Sequence, residues 1–148
     1  MDSIHKQTMI NKYSDKLYII NFYAENYFII IINYINMDAS KHMEMLRKYI
    51  APGKVFIFSA SYCPYCVQAK DLFTNLGVQY KAVEVDRSNG FPNSFINFIN
   101  QHANIDTYPK IYIGEQCIGG YSDAKLLLDN NQLLQKLQAE GISYTEAK

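Results

Sequence analysis

The sequence predicts an α/β domain, a four-stranded mixed sheet flanked by helices on both faces, with an N-terminal extension in front of it. Three observations carry that reading. From Met37 onward, short β-prone apolar runs alternate with runs in which apolar residues recur at helical spacing. Pro52-Gly53, Gly77 and Gly114 punctuate the boundaries between them. A whole helix separates the first two strands, which makes them parallel through a right-handed crossover, whereas the last two are close enough for an antiparallel hairpin.

The extension comes first, residues 1–36. Ile, Asn, Tyr, Lys and Phe dominate it with no clean helical or strand period. Leu17 to Ile35 is apolar enough for a membrane span, yet Asn21, Glu25, Asn26 and Asn33 interrupt it, and polar groups at membrane depth are costly. No small-residue cleavage site and no Arg-rich transit pattern is visible. Three readings stay open: an appendage with the residue bias of AT-rich coding, a membrane or targeting signal, and a real helix.

Residues 37–148 form the expected domain. Ala39 to Ile50 reads as a short helix, with Met43, Leu46, Tyr49 and Ile50 on one face and Pro52-Gly53 ending it. Lys54 to Phe58 is the first strand. Cys63 to Leu76 is a helix that buries Ala69, Leu72, Phe73 and Leu76 and stops at Gly77. Val78 to Val85 is the second strand, followed by a loop from Asp86 to Gly90. Pro92 opens a helix that turns Phe95, Phe98 and Ile99 inward. Lys110 to Ile113 and Gln116 to Ile118 make a hairpin around Gly114-Glu115. Ser122 caps a final helical region carrying Leu126, Leu127, Leu128, Leu133, Leu134 and Leu137.

Composition excludes several classes. Net charge is zero and charged residues make up 19%, so there is no electrostatic footprint for nucleic acid. A zinc site wants four ligands, usually as two spaced pairs, but beyond one cysteine pair there are only Cys117 and the scattered His5, His42 and His102. No metal is expected. Three cysteines are too few for a secreted disulfide scaffold, and a reducing compartment fits better.

The chemistry points to Cys63-Pro64-Tyr65-Cys66, at the corner between the first strand and the next helix. A helix N-terminus presents free N–H groups and a positive dipole end, which stabilise a thiolate at Cys63. Pro64 suits the first helical position, and Cys66 lies one turn in, within reach of the same sulfur. This is a reactive thiol with a resolving thiol beside it. Tyr62 precedes the pair, not the Trp common in thioredoxins.

Three motifs in order, Cys63-Pro64-Tyr65-Cys66, Thr107-Tyr108-Pro109 and Cys117-Ile118-Gly119-Gly120-Tyr121-Ser122-Asp123, make the chain resemble a dithiol glutaredoxin from about Lys48 to Leu137. The resemblance implies a thioredoxin-like fold. It also implies a glutathione-dependent thiol–disulfide oxidoreductase in which Cys63 is the nucleophile and Cys66 resolves. In that family the Thr-x-Pro proline is cis and the residue before it offers its backbone to the cysteinyl unit of glutathione, here Tyr108 between Thr107 and Pro109. Gly119-Gly120 allows close backbone approach. The helix N-terminus at Ser122, next to Gly120, takes the γ-glutamyl carboxylate, Asp123 takes the amino group, and Tyr65 lines the cleft.

Two positions depart from the family pattern. Ala60 stands where a lysine often meets the glycyl carboxylate, and Ile96 where a glutamine often does. Lys54 or Lys110 could supply the missing cation, though either could equally be a solvated charge. Cys117 reads as a small hydrophobe in a strand, with a regulatory thiol as the second reading.

Glutathione is thus the expected co-substrate, with glutathionylated or disulfide-containing proteins as partners and glutathione reductase acting indirectly. A cytoplasmic monomer is expected, or a membrane-anchored or organellar one if residues 17–35 direct it. The alternative function is a glutathione-ligated [2Fe–2S] carrier. Pro64 counts against it by resemblance, since cluster-holding members usually have Ser or Gly there.

Overall fold

The computed structural model describes residues 26–87 and 91–145. The chain divides into two units, one up to Lys41 and the other from His42 to Lys148. The first helix, α1, runs over residues 26–47 without a break at Met37, because neither Pro nor Gly interrupts it. In the first unit Tyr27, Phe28, Ile29, Ile30, Ile31, Ile32, Tyr34, Ile35 and Met37 are all exposed. Among the described residues no helix is long and apolar enough to cross a membrane. Residues 17–25 of the apolar stretch lie outside the described residues.

The second unit holds the sheet. Its strands are β1 (Val55–Ser59), β2 (Tyr80–Glu84), β3 (Lys110–Ile113) and β4 (Gln116–Gly119), in the spatial order β2-β1-β3-β4. β1 pairs parallel with β2 and antiparallel with β3, and β3 pairs antiparallel with β4. The central strands β1 and β3 are buried along their whole length. Strand alternation sends Val55 and Ile57 to one face and Phe56 and Phe58 to the other.

Three further helices cover the first face: α2 (Pro64–Asn75), α4 (Tyr121–Asp129) and α5 (Gln132–Ala139). Ala69, Leu72, Phe73 and Leu76 are buried there, as the helical spacing requires. On the second face, α3 (Asn93–Ala103) brings Phe95 and Ile99 onto Phe56, Phe58 and Tyr112, and Leu46 and Ile50 complete that core. Phe98 is only partly buried against it. The fold is thus a thioredoxin-like sheet with helices on both faces.

Two boundaries differ from expectation. Val78 and Gln79 belong to the turn after α2, where Val78 N–H bonds to the Phe73 carbonyl, so β2 starts at Tyr80. The final helical region is two helices, not one. Asn131 takes a left-handed backbone (φ 59°) between α4 and α5, a conformation Asn tolerates better than most residues.

Candidate active site

The turn after β1 delivers Cys63 to the start of α2. Cys63 is the N-cap, with extended backbone (φ −95°, ψ 110°), and Pro64 occupies the first turn. Its sulfur accepts a hydrogen bond from Cys66 N–H at 3.3 Å and donates to the Tyr108 carbonyl at 3.3 Å. Cys66 N–H is shared between that sulfur and the Cys63 carbonyl, at 3.2 Å. Cys63 is partly exposed, whereas Cys66 is 1% exposed. Burial, reinforced by the neighbouring Cys63 sulfur, pushes the Cys66 thiol up to about 11. The two sulfurs therefore face different environments: one opens toward solvent on a donor-rich helix end, the other is a buried thiol.

Facing Cys63 is the turn before β3. The Tyr108–Pro109 peptide bond is cis. Pro109 is buried, Thr107 is exposed, and Tyr108 lies between, with its hydroxyl shifted upward by burial first and by neighbouring acidic groups second. An open cleft of about 310 Å³ runs along this turn, lined by Tyr65, Ile105, Thr107, Tyr108, Pro109, Gly120, Tyr121, Ser122 and Asp123.

At the far end of the cleft is the N-terminus of α4. Gly120, not Ser122, is its N-cap, because the helix begins two residues earlier than the Ser signal implies. Ser122 sits in the first turn instead, exposed on the cleft wall. The first intrahelical bond is Ala124 N–H to the Gly120 carbonyl at 3.0 Å, so the N–H groups of Tyr121, Ser122 and Asp123 have no helical acceptor. Asp123 folds back so that its carboxylate accepts from Gly120 N–H at 2.8 Å. Gly119 precedes this turn at φ 105°, and a Cβ there would come within 2.2 Å of the Asp123 carboxylate. Only glycine fits.

Of the residues singled out in the sequence, the structure brings together Cys63, Cys66, Tyr65, Thr107, Tyr108, Pro109, Gly120, Ser122 and Asp123. Lys54 is the correction. It precedes β1, at the strand end opposite Cys63, and lines a separate depression with Tyr49, Gly53, Gln79 and Lys81. The five residues of β1, at ~3.3 Å each, set it roughly 17 Å from the strand end that leads to Cys63. Lys110 is not a solvated charge either, being fully buried. Ala60 is buried at 2% exposure and Ile96 is partly buried on α3; neither lines the cleft.

Sequence reasoning missed Ile105 and Tyr121 as cleft residues. Tyr121 stacks on Tyr65 with ring centroids 6.0 Å apart. The signal for it was its place between Gly120 and Ser122, in a motif otherwise read residue by residue. Cys117 is partly buried on β4 against the second-face core, and burial raises its thiol pKa. That environment suits a packing residue.

Comparison with known proteins agrees with this arrangement. The glutaredoxin family model matches residues 55–118. Human glutaredoxin-1 is 33% identical over 100 residues, covering 66% of this chain and 94% of the relative. A wheat glutaredoxin structure is 33% identical with a TM-score of 0.59, covering 71% of this chain and 93% of the other. A buckwheat glutaredoxin solved in complex with glutathione superposes with a TM-score of 0.63 over 71% of this chain and 94% of the other, a likeness of fold at 24% identity. With its cysteine pair at a helix N-cap facing a cis-proline turn, the chain belongs to the glutaredoxin family, a family of thiol–disulfide oxidoreductases.

Proposed function

We propose that this protein reduces glutathione–protein mixed disulfides and protein disulfides, with Cys63 as nucleophile and Cys66 as resolving thiol. The observation that carries the reading is the position of the Cys63 sulfur, held between Cys66 N–H and the Tyr108 carbonyl at the cleft. Family membership supplies the reaction class, and the contrast between an accessible Cys63 and a buried Cys66 supports the roles.

In the monothiol route, Cys63 thiolate attacks the glutathione sulfur of a mixed disulfide. The old S–S bond breaks, the protein thiolate leaves and takes a proton, and glutathione remains on Cys63. A second glutathione thiolate attacks that glutathione sulfur, releasing Cys63 thiolate and oxidised glutathione. In the dithiol route, Cys63 attacks one sulfur of a protein disulfide. Cys66 then loses its proton and attacks Cys63 Sγ, expelling the protein thiolate and leaving a Cys63–Cys66 disulfide. Two glutathiones reduce it. Glutaredoxin potentials of about −200 to −230 mV lie where a cytosolic glutathione pool keeps such a pair reduced.

The cleft suits the cysteinyl and γ-glutamyl parts of a glutathionyl group. Tyr108 offers its backbone beside Cys63, as an edge strand pairs with an extended peptide. The open N–H groups of Tyr121, Ser122 and Asp123 suit the γ-glutamyl carboxylate, and the Asp123 carboxylate suits its ammonium.

The test is turnover of a glutathionylated peptide coupled to NADPH through glutathione reductase, run beside the same peptide with thioredoxin reductase and no glutathione. Turnover only in the first arm is expected. Equal or greater turnover in the second would remove the glutathione reading.

A further inference from the structure

Lys110 opens β3 opposite Phe58, and strand alternation puts its side chain on the face shared with Tyr112 and Phe56. It is 0% exposed. An ammonium in such a place is costly unless something receives it. Two groups do, and both belong to the turn that faces Cys63. Lys110 Nζ donates to the Thr107 carbonyl at 2.8 Å and lies 4.1 Å from the centroid of the Tyr108 ring. The Tyr108 carbonyl in turn accepts from Cys63 Sγ. Burial lowers the lysine's pKa, while Cys117, Asp106 and Cys66 favour its charged form.

The cation thus grips the active-site turn from its inner side, at two consecutive residues, while the outer side of the same turn lines the cleft. An apolar side chain of similar length would fill the volume without the desolvation cost, so packing alone does not account for a lysine.

We infer that Lys110 is a positioning residue of the thiol–disulfide site: it fixes Thr107 and Tyr108 from within the core, so that the Tyr108 backbone stays presented to Cys63 and to the extended backbone of a glutathionyl substrate. The substrate half of this statement rests on the glutathione reading above; the fixing of the turn does not.

The two halves separate experimentally. Lys110→Met keeps the length and removes the charge and its hydrogen bond; Lys110→Arg keeps both. The full chain and each variant are compared for thermal midpoint, for amide hydrogen exchange in the peptide spanning residues 105–112, and for KM and kcat on a glutathionylated peptide. Lys110→Met is expected to unfold at the wild-type temperature or above it, since removing an interior charge is often neutral or stabilising. Its 105–112 amides should nonetheless exchange faster, and KM should rise about fivefold or more with kcat within about twofold, the loss of one charge-assisted hydrogen bond's worth of positioning. Lys110→Arg should return KM and exchange toward wild type.

Wild-type exchange and KM in Lys110→Met would overturn the inference. So would a KM loss that tracks a fall in thermal midpoint in both variants, because the lysine would then act only through stability. Faster exchange in Lys110→Met with no turnover of the peptide by either protein would uphold the positioning role and remove the glutathione reading instead.

Discussion

Cys63 stands at a helix N-cap, its sulfur bonded to Cys66 N–H and the Tyr108 carbonyl, while Cys66 is buried with its thiol pushed up to about 11. Cys63→Ser should therefore abolish reduction of mixed disulfides and of protein disulfides. Cys66→Ser should keep the first and lose the second, measured side by side in the coupled assay. The raised pKa also has a sign. Burial, the largest cause of the shift, persists when Cys63 is tied up in a mixed disulfide, so Cys66 stays mostly protonated at neutrality and the rate at which it closes on that disulfide should rise with pH. Stopped-flow release of a chromogenic thiol after single-turnover loading checks this, and a flat profile between pH 7 and 9 would refute it. At the cleft's other end, Asp123→Ala should raise the KM for a glutathionylated peptide by roughly five- to tenfold, less than a buried charge-assisted bond would cost because Asp123 is exposed. The meeting of the two cysteines at one helix N-terminus was legible from a two-residue spacing at a strand-to-helix corner. The place of Lys54 was not, because which end of β1 a lysine occupies matters only once the strand direction is fixed against the cleft.

The elements that carry the site meet it with their ends. α2 brings Cys63 at its N-cap, α4 brings Gly120 to Asp123 in its first turn, and β3 begins immediately after Pro109. Strand and helix existence followed from periodicity, and β1, α2, α3 and the hairpin lie within a few residues of their expected places. What periodicity did not show was the left-handed Asn131 that splits the last helical region, since an Asn-Asn pair in a Leu-rich run leaves the helical spacing nearly intact. Nor did it show that α4 is capped by Gly120: Ser122 is a better capping residue by type, and the Ala124 N–H bond to the Gly120 carbonyl decides. The Gly119 backbone at φ 105° makes that turn sensitive. Gly119→Ala forces a Cβ onto the Asp123 carboxylate, and the expected outcome is a KM rise at least as large as that of Asp123→Ala, with about 1 kcal/mol or more lost from stability in urea unfolding.

Two cores, one on each face of the sheet, hold the catalytic unit, and all their buried members lie between Leu46 and Ile142. A chain beginning at Met37 keeps every one of them. It should unfold cooperatively at the full-length temperature and turn over at the full-length rate; a clearly lower midpoint would mean that residues before Met37 contribute to the fold. Mixed sheet, layer order and cleft were readable as a whole because each strand and helix obeyed its own period, and the family motifs fixed how they come together. Lys110 was not readable, because a lysine after a proline reads as a surface charge until β3 is paired with β1 and its first side chain is turned inward. The central claim is that Cys63 takes a glutathionyl group directly from a mixed disulfide. Intact-mass spectrometry of Cys66→Ser, incubated with a glutathionylated peptide and quenched with acid, tests it most directly. One glutathione adduct is expected, mapped to Cys63 by peptide analysis and removed by added glutathione. An adduct of the peptide in place of glutathione, or one at Cys117, would contradict it.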